Sequence, residues 1–94
     1  MYAISSDKRM PVKLGISKNP DKRIKQLQTG HSDKLSIYHI EKVPADKVRL
    51  YEGILHKDLS LKRKQGEWFD ITVEEAISHI KLTLMENEPS ELIP

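Results

Sequence analysis

The chain has 94 residues, 37% hydrophobic and 32% charged, with no cysteine and a formal net charge of +2. That length supports one domain around one core, and the lack of cysteine excludes disulfide staples and thiolate zinc centres. Residues 1–70 carry 15 Lys and Arg against 9 Asp and Glu, residues 71–94 carry 1 against 5, and a basic body with an acidic tail suits a polyanionic partner.

The first apolar segments, YAI from Tyr2 and VKLGI from Val12, are separated by the polar, Pro-containing SSDKRMP, which predicts a hairpin. Asn19 followed by Pro20 is a helix start: the amide side chain caps free N–H groups, and proline at the first position loses no hydrogen bond. The helix is expected over about 20–28, with Ile24 and Leu27 on one face and Thr29–Gly30 as its stop.

KLSIYHIEKV alternates well enough for a strand, and after Pro44 the period becomes helical. Val48, Tyr51, Leu55 and Leu59 form the stripe of the longest helix, over 45–61, closed by KRKQG. Gly53 within it costs about 1 kcal/mol relative to alanine, which a close crossing over the sheet would explain. EWFDI predicts one more strand. Thr72 with Glu75 is a capping box for a last helix that turns Val73, Ile77, Ile80 and Leu84 inward.

The fold class expected is therefore α+β: a small, mostly antiparallel sheet of three to four strands flanked by helices, one domain over 1–87 with a loose acidic tail over 88–94. No apolar run approaches the roughly 18 residues of a membrane span, and MYAISSDKRM turns polar too early for a signal peptide. A cytoplasmic protein with no membrane partner is expected.

There is no P-loop, GxGxxG, HExxH or nucleophile-elbow serine. What remains are single polar groups at element edges: Tyr2, Lys13, Arg23, Glu52 and His56. Each has an ordinary explanation alone: a packed strand aromatic, an exposed strand lysine, a helix-surface cation, and an i,i+4 pair worth a few tenths of a kcal/mol. Trp68 reads as a core plug closing the sheet rather than as a base-stacking surface.

Their order and spacing give them joint meaning. YAI, then KLG eleven residues on at 13–15, then Arg23 eight residues after Gly15 within NPDKR, then Glu52 in a late helix, resemble the GIY-YIG nuclease superfamily over most of residues 1–71. VKLGISKNPDKRIKQLQTG, YEGILH and GEWFDI look like a compact phage and bacterial branch often described as DNA-binding domains. The family pattern differs at three places. Met1 precedes Tyr2 where the first motif has its glycine, Lys13 stands where the second motif has tyrosine, and Leu27 stands where nucleases often carry His or Tyr, a role open here to His31 or Gln28.

The resemblance implies a magnesium-dependent (or manganese-dependent) endonuclease, a hydrolase of DNA phosphodiesters. Glu52 would anchor the Mg²⁺ or Mn²⁺ ion as a lone carboxylate, and Arg23 would bind phosphate bidentately. Tyr2 would act as base or water-orienting group, with Lys13 lowering its pKa or binding phosphate, and His56 orienting Glu52 or relaying a proton. Lys18, Lys22, Lys25, His31, Lys57, Lys62, Arg63 and Lys64 would form the surrounding DNA-binding rim. A catalytically silent DNA-binding module and a phage-type protein-interaction regulator are the alternatives. A homodimer, or a protein partner that supplies specificity, would suit so small a domain.

Overall fold

Tyr2–Ser6 (β1) lies near the middle of a five-stranded antiparallel sheet in which every neighbouring pair runs in opposite directions. The other strands are Val12–Gly15 (β2), Leu35–Ile40 (β3), Arg63–Gln65 (β4) and Trp68–Phe69 (β5), in the order β3-β1-β2-β5-β4. Three helices accompany them: Pro20–Gln28 (α1), Val48–Asp58 (α2) and Val73–Asn87 (α3). The structure, a computed structural model, describes residues 1–87, so the tail expected over 88–94 lies outside the described residues.

Both faces of the sheet are covered, and β1 shows why. Its alternate residues serve two cores: Met1 and Ala3 join Val12, Leu14, Tyr51, Leu55, Phe69 and Ile80, whereas Tyr2 and Ile4 join Leu35 with Ile24, Leu27, Ile37 and Trp68 around them. With period-2 side chains this places α2 and α3 on one face and α1 on the other. Ile80, fully buried, contributes about 1.5–3 kcal/mol of hydrophobic stabilisation.

The helix ends follow local chemistry. Asn19 Oδ1 accepts from the Lys22 backbone N–H at 3.1 Å, and Thr72 and Glu75 exchange both bonds of their capping box at 3.0 and 3.1 Å. The apolar stripe of α2 holds at Tyr51, Leu55 and, just past its end, Leu59, all buried, with Val48 half-buried; at 11 residues α2 is shorter than expected, and the 15-residue α3 is the longest helix. In α3 the buried positions are Val73, Ala76, Ile80 and Thr83, with Ile77 and Leu84 half-buried beside them.

Two further expectations are corrected. KRKQG does not close a helix: α2 ends at Asp58, a single 3₁₀ turn covers Ser60–Lys62, and Arg63–Gln65 is a fifth strand paired with Trp68–Phe69. The two-residue tip of that hairpin is Gly66–Glu67, and Gly66 sits at φ +56, where glycine is favoured. Gly53, for its part, marks no close crossing, because a Cβ there would meet nothing within 4 Å.

Candidate active site

Tyr2 opens β1 and stands directly across from Gly15, the last residue of β2. A Cβ at Gly15 would lie 2.5 Å from the phenol oxygen, so the missing side chain is what lets the ring lie over the neighbouring strand. The phenol is buried, and burial pushes its pKa up. The Arg23 guanidinium beside it pulls it back, while the carboxylates of Glu67 and Glu52 add to the rise. One phenol therefore senses Arg23 from α1, Glu52 from α2 and Glu67 from the β4–β5 tip.

Lys13 departs from its expected role. It is buried rather than exposed, and its ammonium pairs with Glu67 Oε1 at 3.5 Å. A buried ammonium needs such a partner to offset its lost hydration. The cation that lowers the Tyr2 pKa is Arg23, and Lys13 is not among the groups acting on that phenol.

Glu52 is not a lone carboxylate. Glu52, His56 and Glu67 each bring one ligand atom to a cluster in which all three atoms lie within 4.8 Å of one another. Partial burial raises the Glu52 pKa first, and the neighbouring carboxylate of Glu67 raises it further, against the pull of His56 and Arg49. His56 Nε2 lies 2.9 Å from the Leu14 carbonyl oxygen. A carbonyl only accepts, so Nε2 carries the proton and Nδ1 keeps its lone pair in the neutral ring, as for metal-ligating histidines oriented by a backbone carbonyl. Two carboxylates and an imidazole fit a divalent cation. The nitrogen donor suits Mn²⁺ better than Mg²⁺, which favours oxygen ligands.

Glu67 was missed in the sequence because KRKQGEWF reads as a helix end followed by a strand. Read as a hairpin with a Gly-containing two-residue loop, it places Glu67 at a turn beside β2. Its backbone completes the join, since the Leu14 N–H donates to the Glu67 carbonyl at 3.0 Å.

The remaining sequence candidates divide by position. Lys18, Lys22, Lys25, His31, Lys57, Lys62, Arg63 and Lys64 are all exposed, as a rim requires. Lys18 borders an open, mainly apolar cavity of about 710 Å³ that also reaches Arg49. Arg63 lies over the Phe69 ring at 5.4 Å. Among the described residues, no ion pair holds Lys22, Lys25, Lys57 or Lys62. Gln28 has another task, because its amide donates to Asp33 O at 2.8 Å and accepts from Leu35 N at 2.7 Å, pinning the loop into β3. His31 instead lies beside Trp68, ring centroids 4.9 Å apart.

No described helix is long and apolar enough to cross a membrane. No curated protein and no solved structure matches the chain significantly. The sequence model of the T5orf172 domain matches residues 1–84. That span takes in every strand, every group of the cluster and nearly all of α3, and the chain belongs to the T5orf172 domain family.

Proposed function

We propose that this T5orf172 domain is a GIY-YIG-type, metal-dependent endonuclease that hydrolyses phosphodiester bonds in DNA. The observation that carries the reading is that Arg23 of α1 and Glu52 of α2 both lie close enough to act on the phenol of Tyr2 in β1, which itself packs over Gly15. A packing role would explain any one of them but gives no reason for three such groups to meet.

Hydrolysis of the ester needs a water to attack phosphorus as the P–O bond to the leaving sugar oxygen breaks. Arg23 presents a planar fork that grips two non-bridging oxygens and stabilises the charge gathering there. Tyr2 orients the attacking water and, in its ionised form, accepts its proton. Because burial raises its pKa, that form is scarce at neutral pH, and the neighbouring guanidinium limits the deficit. Glu52, Glu67 and the Nδ1 of His56 would hold a divalent ion. When bound, the ion supplies further positive charge to the phosphoryl group and its leaving oxygen. Lys13 holds Glu67 in place through its ion pair.

The test is nicking of supercoiled plasmid by purified protein with EDTA, Mg²⁺ or Mn²⁺, repeated with Glu52→Ala. The expected result is metal-dependent nicking, faster with Mn²⁺ and lost in the variant while DNA affinity persists. A second reading, a DNA-binding module without catalysis, is favoured by the Lys13–Glu67 pair, which neutralises one would-be ligand. Salt-sensitive binding with no product under any metal would establish that reading instead.

A further inference from the structure

The nuclease reading leaves open whether the substrate strand is paired. Beside the catalytic cluster lies a feature that it does not use. Trp68, the chain's one tryptophan, is half-buried: one part of its ring packs with Tyr2, Ile4 and Leu35, and the rest borders a cavity of about 230 Å³ formed with Pro11, His31, Lys64 and Gln65. The His31 ring packs directly on the indole, tilted 36° at a centroid distance of 4.9 Å, so the two rings border the cavity side by side with no gap between them.

Strand register links this cavity to the proposed chemistry. Ile37, Ile4, Lys13, Trp68 and Gln65 are successive cross-strand partners and so share a face of the sheet. Lys13 stands between the two sites, its Nζ 3.5 Å from Glu67 Oε1 and 5.6 Å from the Trp68 ring centroid. Phosphate oxygens at the Tyr2–Arg23–Glu52 cluster would thus lie one side chain away from an aromatic slot. Lys64, with Lys62 and Arg63 before it, is exposed on the outer side.

We propose that the cavity bordered by Trp68 and His31 receives one unpaired base of the DNA strand whose phosphate is cleaved, stacked against this aromatic pair, so that the substrate is single-stranded or locally opened DNA. The argument rests on the nuclease reading for the identity of the ligand and on the slot's own chemistry for its pairing state. Aromatic surface that borders a cavity, here the exposed His31 ring backed by the indole, stacks any base, and flanking cations follow the backbone, the combination that holds single strands without sequence preference. Inside a duplex both faces of a base are occupied by its neighbours, so entry into the slot requires an extruded or unpaired nucleotide.

Trp68 reports directly on its own slot. The experiment is a titration of the protein in EDTA, which prevents hydrolysis, with a short oligothymidylate and with a hairpin duplex of equal nucleotide count. Tryptophan emission is read alongside the anisotropy of the labelled DNA. The expected result is quenching by the single strand at lower concentration than by the duplex. His31→Ala, at an exposed position that leaves the fold intact, should weaken single-strand binding at least about five-fold, the lower end of what one stacked base contributes. Binding without quenching, equal quenching by duplex, or no effect of His31→Ala would each overturn the proposal, as would no binding at low salt. Cleavage of plasmid without quenching would refute the slot and leave the nuclease reading intact. Quenching without cleavage under any metal would do the reverse.

Discussion

Tyr2 and Gly15 face each other across β1 and β2 so closely that the phenol oxygen lies 2.5 Å from where a Cβ on Gly15 would stand. The glycine is thus part of the site without any side chain of its own. It admits the phenol that Arg23, Glu67 and Glu52 all influence.

Gly15→Ala should therefore separate activity from stability. The added methyl must displace the Tyr2 ring, and misplacing a reacting group by about 1 Å costs on the order of 100-fold in rate. Overpacking at a buried position costs about 1–3 kcal/mol, which leaves a folded fraction to assay. Nicking rate and thermal melt measured on one preparation check this. A variant that melts lower but nicks at the wild-type rate would remove Tyr2 from the reaction.

Glu52 sets a pH dependence of stability. Glu52 has its pKa raised in the fold, by burial first and by Glu67 second. A carboxyl shifted this way stabilises the fold below its unfolded pKa, about 4.3, and that contribution is lost as pH rises through the higher folded value. At neutral pH the ionised Glu52 therefore opposes folding. Glu52→Gln should raise Tm at pH 7 by roughly 2–5 °C and have little effect near pH 4. Millimolar Mn²⁺ should raise the wild-type Tm by mass action and leave Glu52→Gln nearly unmoved. Melting curves at two pH values, with and without metal, decide the point.

Tyr2 predicts the pH profile of cleavage. With its pKa raised above the usual value near 10, the phenolate fraction grows about tenfold per pH unit through the neutral range. The logarithm of kcat/KM should then climb with a slope near one from about pH 7 to 9, without a plateau. In Tyr2→Phe the rate should fall on the order of 100-fold and the slope should flatten. An unchanged slope in that variant would assign the proton transfer elsewhere.

The capping box of α3 supplies a control remote from the site. Thr72→Ala removes the hydroxyl that caps Glu75 N–H at 3.1 Å and should cost about 1 kcal/mol, lowering Tm by about 4–8 °C. Its nicking rate below the melt should match wild type, and circular dichroism with the plasmid assay measures both.

The features legible in the sequence were those set by neighbours along the chain. The Asn19 cap, the Thr72–Glu75 box and the buried stripe of α2 depend on groups three or four residues apart, and each holds in the structure. Tyr2, Arg23 and Glu52 were legible as candidates through their order and spacing. Tertiary structure was needed to bring them to one place and to add Glu67, a single acidic residue at a hairpin tip that no local pattern marks. The same holds for the orientation of His56, whose ring bonds the carbonyl of Leu14, 42 positions away. Lys13 shows the limit most clearly, since a lysine on a strand reads as solvated until Glu67 arrives from another hairpin to pair with it. Capping and helical periodicity act within a turn or two of backbone, whereas burial and pairing of charge depend on which distant segments the packed sheet brings alongside, so short-range pattern determined the elements and only long-range packing decided the chemistry between them.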